Sequence, residues 1–263
     1  MGADIVPTGG AAWVPSVNHE DGPRKETRGV FLHSSHGGTI QRAGESYDDY
    51  IDREYQALVR YCAGANTSQA SPHFAVGSRA VTRLVHDDDI AWCQTTANPY
   101  WLSIELAKPT QAAKALKPFT DYQYRMAADL CARWSIKYGF PLQRVFTQTA
   151  HGLIGHRDSE AGKARGKWDP DTAFDWPRFV RECNETKARL LGTYTAESAV
   201  PNEAGGGETI GGGFADWLNR HAGERAVKIT HDGYGDRLLF LASGTVLVWW
   251  KWTNQVQAVV RDV

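Results

Sequence analysis

Three side chains able to hold a metal, His33, His156 and Asp169, stand far apart in a chain of 263 residues. His33 lies near the end of the apolar run RGVFLHSS (28–35), which reads as a buried strand. His156 and Asp169 belong to GHRDSEAGKARGKWDPD (155–171), a glycine-bearing segment crowded with charge and lacking helical or strand periodicity. Taken alone, such a run reads as a solvated loop. Two imidazoles and one carboxylate would instead leave the fourth position of a tetrahedral zinc site open to water, as in catalytic sites. No generic metal-binding spacing spans positions 33 to 156, so these residues by themselves leave both readings open. The four cysteines (Cys62, Cys93, Cys131, Cys183) form no Cys-x-x-Cys pair. They read as free thiols of a chain made in a reducing compartment.

Positioning these residues requires a sheet whose strand ends carry loops. ESYDDYIDREYQALVRYCAGA (45–65) has apolar residues at helical spacing, with Ser46 as N-cap. HFAVGS followed by AVTRLVH reads as a hairpin. WLSIELA (101–107) alternates Leu102, Ile104 and Leu106 against Trp101, Ser103 and Glu105. TDYQYRMAADLCARWSIKYG (120–139) is the clearest helix, with Tyr122, Met126, Leu130 and Trp134 as its apolar stripe and Gly139 as its stop. RVFT (144–147) reads as a final strand, and WPRFVRECNETKARLLG (176–192) as a closing helix with Pro177 in its first turn. The expected fold class is α/β, a mixed central sheet flanked by helices over 28–192, preceded by an extended leader over 1–27. Residues 193–213, rich in Gly, Ser, Thr and Glu, read as a flexible linker. Beyond it, 214–263 reads as a short helix (214–221) and a small antiparallel β module.

Six segments, FLHSS, SPHFAVG, VTRLVHDDDIAWC, SIELA, GHRD and KWDPDTAFDW, follow one another in an order that resembles zinc-dependent N-acetylmuramoyl-L-alanine amidases of type 2. That family includes phage endolysins and peptidoglycan recognition proteins. The resemblance spans roughly residues 26–190, and GHRD with the Lys-x-Asp-Pro element after it is its most specific part. It implies His33, His156 and Asp169 as zinc ligands, Glu105 as the catalytic carboxylate and Lys167 as the loop cation. Zinc would lower the pKa of its water toward ~7. Glu105 would orient that water or take its proton, and Lys167 would meet the oxyanion of the tetrahedral intermediate. His36, His73 and Cys93 fall at positions that contact substrate or pack beside it. Two departures stand out. Pro72 replaces a Tyr that some members carry, which leaves acid–base work to Glu105. Cys93 stands where many members have His, so the details of the substrate groove differ. Asp158 reads as a turn former, and His86, His151, His221 and His231 as surface or packing residues.

A net charge of −1, from 29 basic and 30 acidic residues, offers no field for nucleic acid. No apolar stretch approaches the ~18–20 residues of a membrane span. The first residues lack the basic and apolar regions of a secretory signal. Together with a cell-wall substrate, this suggests a monomeric phage lysin that accumulates in the host cytoplasm and reaches peptidoglycan once a holin-like partner opens the membrane. A non-catalytic peptidoglycan receptor on the same fold and a cytoplasmic wall-recycling amidase are the alternatives. In TVLVWWKW, Trp249, Trp250 and Trp252 are aromatic faces beside Lys251, suited to stacking on sugar rings. The module is therefore expected to bind cell wall, the alternative being a structural appendage.

Overall fold

Gly29–Ser34 (β3) is an uninterrupted buried run, and such a strand needs cover on both faces. The computed structural model describes residues 4–35, 37, 40–65, 67–108, 118–192, 226–231, 237–241, 246–250 and 255–259. Within it β3 lies between Trp101–Leu106 (β7) and Gly152–Gly155 (β8), parallel to both. Phe74–Val76 (β4) runs parallel to β7 and antiparallel to Val81–Arg83 (β5). Ala12–Trp13 (β1) adds a parallel edge, giving the order β1-β5-β4-β7-β3-β8. His19–Glu20 (β2) pairs separately with Ile90–Ala91 (β6).

Helices cover both faces. Tyr47–Ala63 (α1) starts at Ser46, whose side chain accepts the Asp49 amide, and packs Ile51, Tyr55 and Val59 against Ala75 and Leu84. Asp121–Tyr138 (α2) opens on a Thr120/Gln123 capping box and closes on Gly139 at φ 78°, the left-handed region glycine tolerates. Glu160–Ala164 (α3) is a single turn. Trp176–Leu190 (α4) is capped by Asp175 and lies with α2 on the face bearing Val30, Leu32, Leu102, Ile104 and Leu106. The alternation along β7 thus separates its residues as expected, but its second face is buried as well, with Trp101 and Ser103 inaccessible.

Several local readings need correction. RVFT contributes one bridge, Arg144 to Leu153, and the last strand is GLIG, where Gly29 and Gly152 pair so closely that a Cβ on Gly29 would collide with the Gly152 carbonyl. Those glycines hide the strand from a pattern search. The stripe on α2 is offset: Tyr122 and Met126 are half-buried, while Tyr124, Ala127, Ala128, Leu130, Cys131 and Trp134 form the core face. Each i to i+4 step turns about 40° around a helix, so a line of such steps walks off the core. The leader is also not a free extension. It supplies β1 and β2, and Thr8 bonds Asp129 through its amide and hydroxyl.

Two units divide at residue 194, Met1–Tyr194 and Thr195–Val263. The second holds an antiparallel meander of Ala226–His231 (β9), Arg237–Leu241 (β10), Val246–Trp250 (β11) and Gln255–Val259 (β12), in spatial order β12-β11-β10-β9. The linker over 193–213 and the short helix over 214–221 lie outside the described residues.

Candidate metal centre

His33 is the fifth residue of β3, and the register sets it directly beside Glu105 on β7. On the other flank β8 ends at Gly155, and one 3-10 turn, His156–Asp158, follows. The segment read as a loop is therefore partly helical. Ser159 caps α3, and Gly162 packs so tightly on the His156 carbonyl that no Cβ would fit. The chain then returns with the Lys167 amide bonded to the Gly162 carbonyl and the Arg157 amide bonded to the Asp169 carbonyl. That return carries Asp169 back beneath His156. Asp158 is not part of the cluster; it pairs with Arg144 at 3.0 Å.

Three atoms converge. The Nδ1 atoms of His33 and His156 lie 3.1 Å apart, and Asp169 Oδ2 is 3.2 Å from each. All three residues are buried. With Asp169 ionised, protons alone cannot satisfy this triangle. If both Nδ1 atoms carry hydrogen, two donors face each other; if either lacks it, a lone pair faces the carboxylate. A cation at the centre resolves all three contacts. Zn–N bonds of about 2.0–2.1 Å give tetrahedral edges of about 3.3–3.4 Å, close to those observed. Both Nε2 atoms are buried without a hydrogen-bond partner among the described residues, so Nδ1 is the side of each ring that could hold a metal. Burial pushes the His33 pKa down, against the raising effect of its bond to Asp169, and this favours the neutral imidazole a metal needs. Burial works to raise the Asp169 pKa, but the bonds to His156 and His33 outweigh it and hold the carboxyl well below its usual range. His19, Asp21 and Asp89 form another cluster, but Asp21 is exposed and nothing there is left without a partner.

Glu105 is half-buried beside these ligands. Burial, then the Asp169 charge, raises its pKa well above 4.5, with Lys167 pulling the other way. Lys167 is exposed and lines a groove of about 610 Å³ with His156, Arg165 and the half-buried Cys93. Cys93 directs its thiol to Gln94 Oε1 at 2.8 Å. His73 does not line the groove. It is fully buried, accepting from the Ser103 amide at 3.1 Å with Arg24 3.2 Å away. His36 and Trp252 lie outside the described residues, while Trp249 and Trp250 fall on β11 of the second unit.

Sequence reasoning missed two features. Lys108 and Asp171 form a buried ion pair at 2.5 Å, joining the segment after Glu105 to the segment after Asp169. The spacings from Glu105 and Asp169 hint at this only once the two segments are known to meet. Gln69 and Thr95, at φ 49° and 52°, are the non-glycine residues in the left-handed region among those described, and both line the groove. No sequence signal marks them.

Residues 23–172 match the family described as N-acetylmuramoyl-L-alanine amidase. The match spans more than half of the chain, and the chain belongs to this family, as a type 2 peptidoglycan amidase. No curated protein sequence matches it. Among solved structures it is similar to the hydrolase AmiA of Staphylococcus aureus in complex with its ligand, at 14% identity over 73% of this chain and 82% of that one, TM-score 0.42. A mutant endolysin from Bacillus subtilis shares 14% identity over 68% of this chain and 99% of that one, TM-score 0.44. The endolysin N-acetylmuramoyl-L-alanine amidase LysCS from Clostridium intestinale shares 12% over 69% and 99%, TM-score 0.40.

Proposed function

We propose that this amidase is a zinc enzyme that hydrolyses the amide between the lactyl group of N-acetylmuramic acid and L-alanine, and that it serves a phage as an endolysin. The convergence of His33 Nδ1, His156 Nδ1 and Asp169 Oδ2 within 3.2 Å carries the reading. Zinc held by these atoms supplies Lewis acidity and water activation near neutral pH. Glu105 sits next to the ligands and serves as the base that accepts the water proton. Its raised pKa suits a group that later returns the proton to the L-alanine amine. Lys167, on the groove wall two residues before Asp169, donates to the oxygen that gains negative charge during attack. Burial around the triad excludes bulk water from the ligands and strengthens these interactions.

The same protein works as a monomer. It accumulates in the host cytoplasm, is released to the wall by a holin, and is held on peptidoglycan by Trp249, Trp250 and Trp252 of its second unit. No helix of the described residues is long and apolar enough to cross a membrane. Metal analysis of the purified protein should return one zinc per chain. His33→Ala, His156→Ala and Asp169→Ala each lose both zinc and hydrolysis, whereas Lys167→Ala keeps zinc and turns over about 10²–10³-fold more slowly. Mass spectrometry of digested walls should show free lactyl ends and new L-alanine amines. Hydrolysis at the full rate by metal-free protein would refute the mechanism.

A further inference from the structure

The groove beside His156 has an uneven charge. Its described lining includes the cations Arg165 and Lys167, the neutral Gln69, Thr95 and Asn98, and no carboxylate. Lys167 has its part in the chemistry. Arg165 has none there, and its guanidinium makes no hydrogen bond or ion pair with any described residue. Its backbone is nevertheless fixed. The Arg165 and Lys167 amides both bond to the Gly162 carbonyl, the Gly166 amide bonds to the Lys163 carbonyl, and Gly166 turns the chain at φ 63°. A helix-ending turn of this kind presets the backbone on both sides of the glycine. The lining also includes Gln69 and Thr95, both in a left-handed backbone conformation costly for most side chains, and such strain clusters at ligand-binding sites.

We infer that this groove selects a stem peptide carrying a free carboxylate close beyond the L-alanine, and that Arg165 is the residue that reads it. The inference rests on the amidase reading above. The N-acetylated glycan offers neutral hydroxyls and amides, whereas the peptide beyond L-alanine offers either a carboxylate or, in amidated walls, a carboxamide. A guanidinium pairs bidentately with the first and gains little from the second. An arginine unpartnered among the described residues, in a groove whose other described polar lining is neutral apart from Lys167 and the His156 ligand candidate, therefore discriminates between the two.

The test uses the full chain loaded with zinc and two soluble muropeptides that differ only in this group. The wild type should favour the carboxylate by about 10-fold in kcat/KM, expressed mainly in KM, as expected for one bidentate pair weakened by screening in a solvent-open site. That preference should shrink in ~0.5 M salt. Arg165→Ala should bring the ratio of the two substrates to within about twofold, and Arg165→Lys should retain part of it, because a point charge replaces the fork. Equal cleavage of both substrates by the wild type, or a preference kept in Arg165→Ala, overturns the assignment while leaving the amidase reading intact. Cleavage of neither substrate overturns the amidase reading itself.

Discussion

Replacing Lys108 by Met tests whether the two halves of the metal site are tied together by the pair it forms with Asp171. The side chains are 3% and 1% exposed, and the ammonium also lies 4.0 Å from the Phe119 ring centroid. Removing one partner of such a pair leaves a buried charge uncompensated, at a cost of about 3–5 kcal/mol. A unit of about 190 residues unfolds with an entropy of about 0.4 kcal/mol/K, so the expected fall in Tm is about 8–12 °C. Asp171→Asn should behave differently with pH. Burial lowers the Lys108 pKa, and the bond and charge of Asp171 partly restore it. Without Asp171 the pKa falls further, so the folded state binds fewer protons than the unfolded state and stability rises with pH. The deficit of Asp171→Asn should therefore shrink between about pH 7 and pH 10, while that of Lys108→Met persists. Lys108→Met/Asp171→Leu, which removes both charges, should return to within about 2 kcal/mol of wild type. Calorimetry across that range, with a zinc titration of each variant, reads all of this. Zinc affinity should drop about 10–100-fold in Lys108→Met, because the segment carrying Asp169 loses its anchor. A Tm within about 2 °C of wild type for Lys108→Met would refute the reasoning.

Glu105→Gln should keep zinc and lose about 10²–10⁴ in turnover. Because burial and Asp169 raise the Glu105 pKa, the folded protein holds that proton above the ordinary 4.5, and stability falls as pH rises toward the raised value. Metal-free Glu105→Gln should therefore melt above metal-free wild type at about pH 8 and equal it near pH 4; a constant difference across that range would exclude Glu105 as the cause. Thr95→Gly should stabilise the fold by about 1 kcal/mol in urea titrations, since glycine relieves a β-branched residue at φ 52°. Truncation after Leu191 should leave hydrolysis of small muropeptides at the full rate but reduce sedimentation with intact sacculi. Equal sedimentation of the two proteins would remove the wall-binding role from the second unit.

The main elements were legible in the sequence where local chemistry is strong. Ser46, Thr120 and Gly139 mark helix ends because their side chains or left-handed backbone satisfy terminal groups within a few residues. The β7 alternation and the antiparallel β character of the second unit likewise arise from short-range pattern. GLIG escaped because its two glycines carry no pattern, and its strand character comes from the carbonyls and amides of β3 alongside. The types of the metal-site residues, His33, His156, Asp169 and Glu105, were equally visible. Their meeting was implied only by the family resemblance, because a separation of 123 residues is closed by strand order, and spacing along the chain cannot encode it. The burial of His73, the Lys108–Asp171 pair and the left-handed Gln69 and Thr95 likewise depend on what the fold brings alongside each residue. Sequence alone thus determined which chemistry was available and where the capped helices begin and end, since both depend on bonds made within a few residues. The tertiary structure alone decided which of those groups share one dry centre, since that requires backbone hydrogen bonds between distant strands.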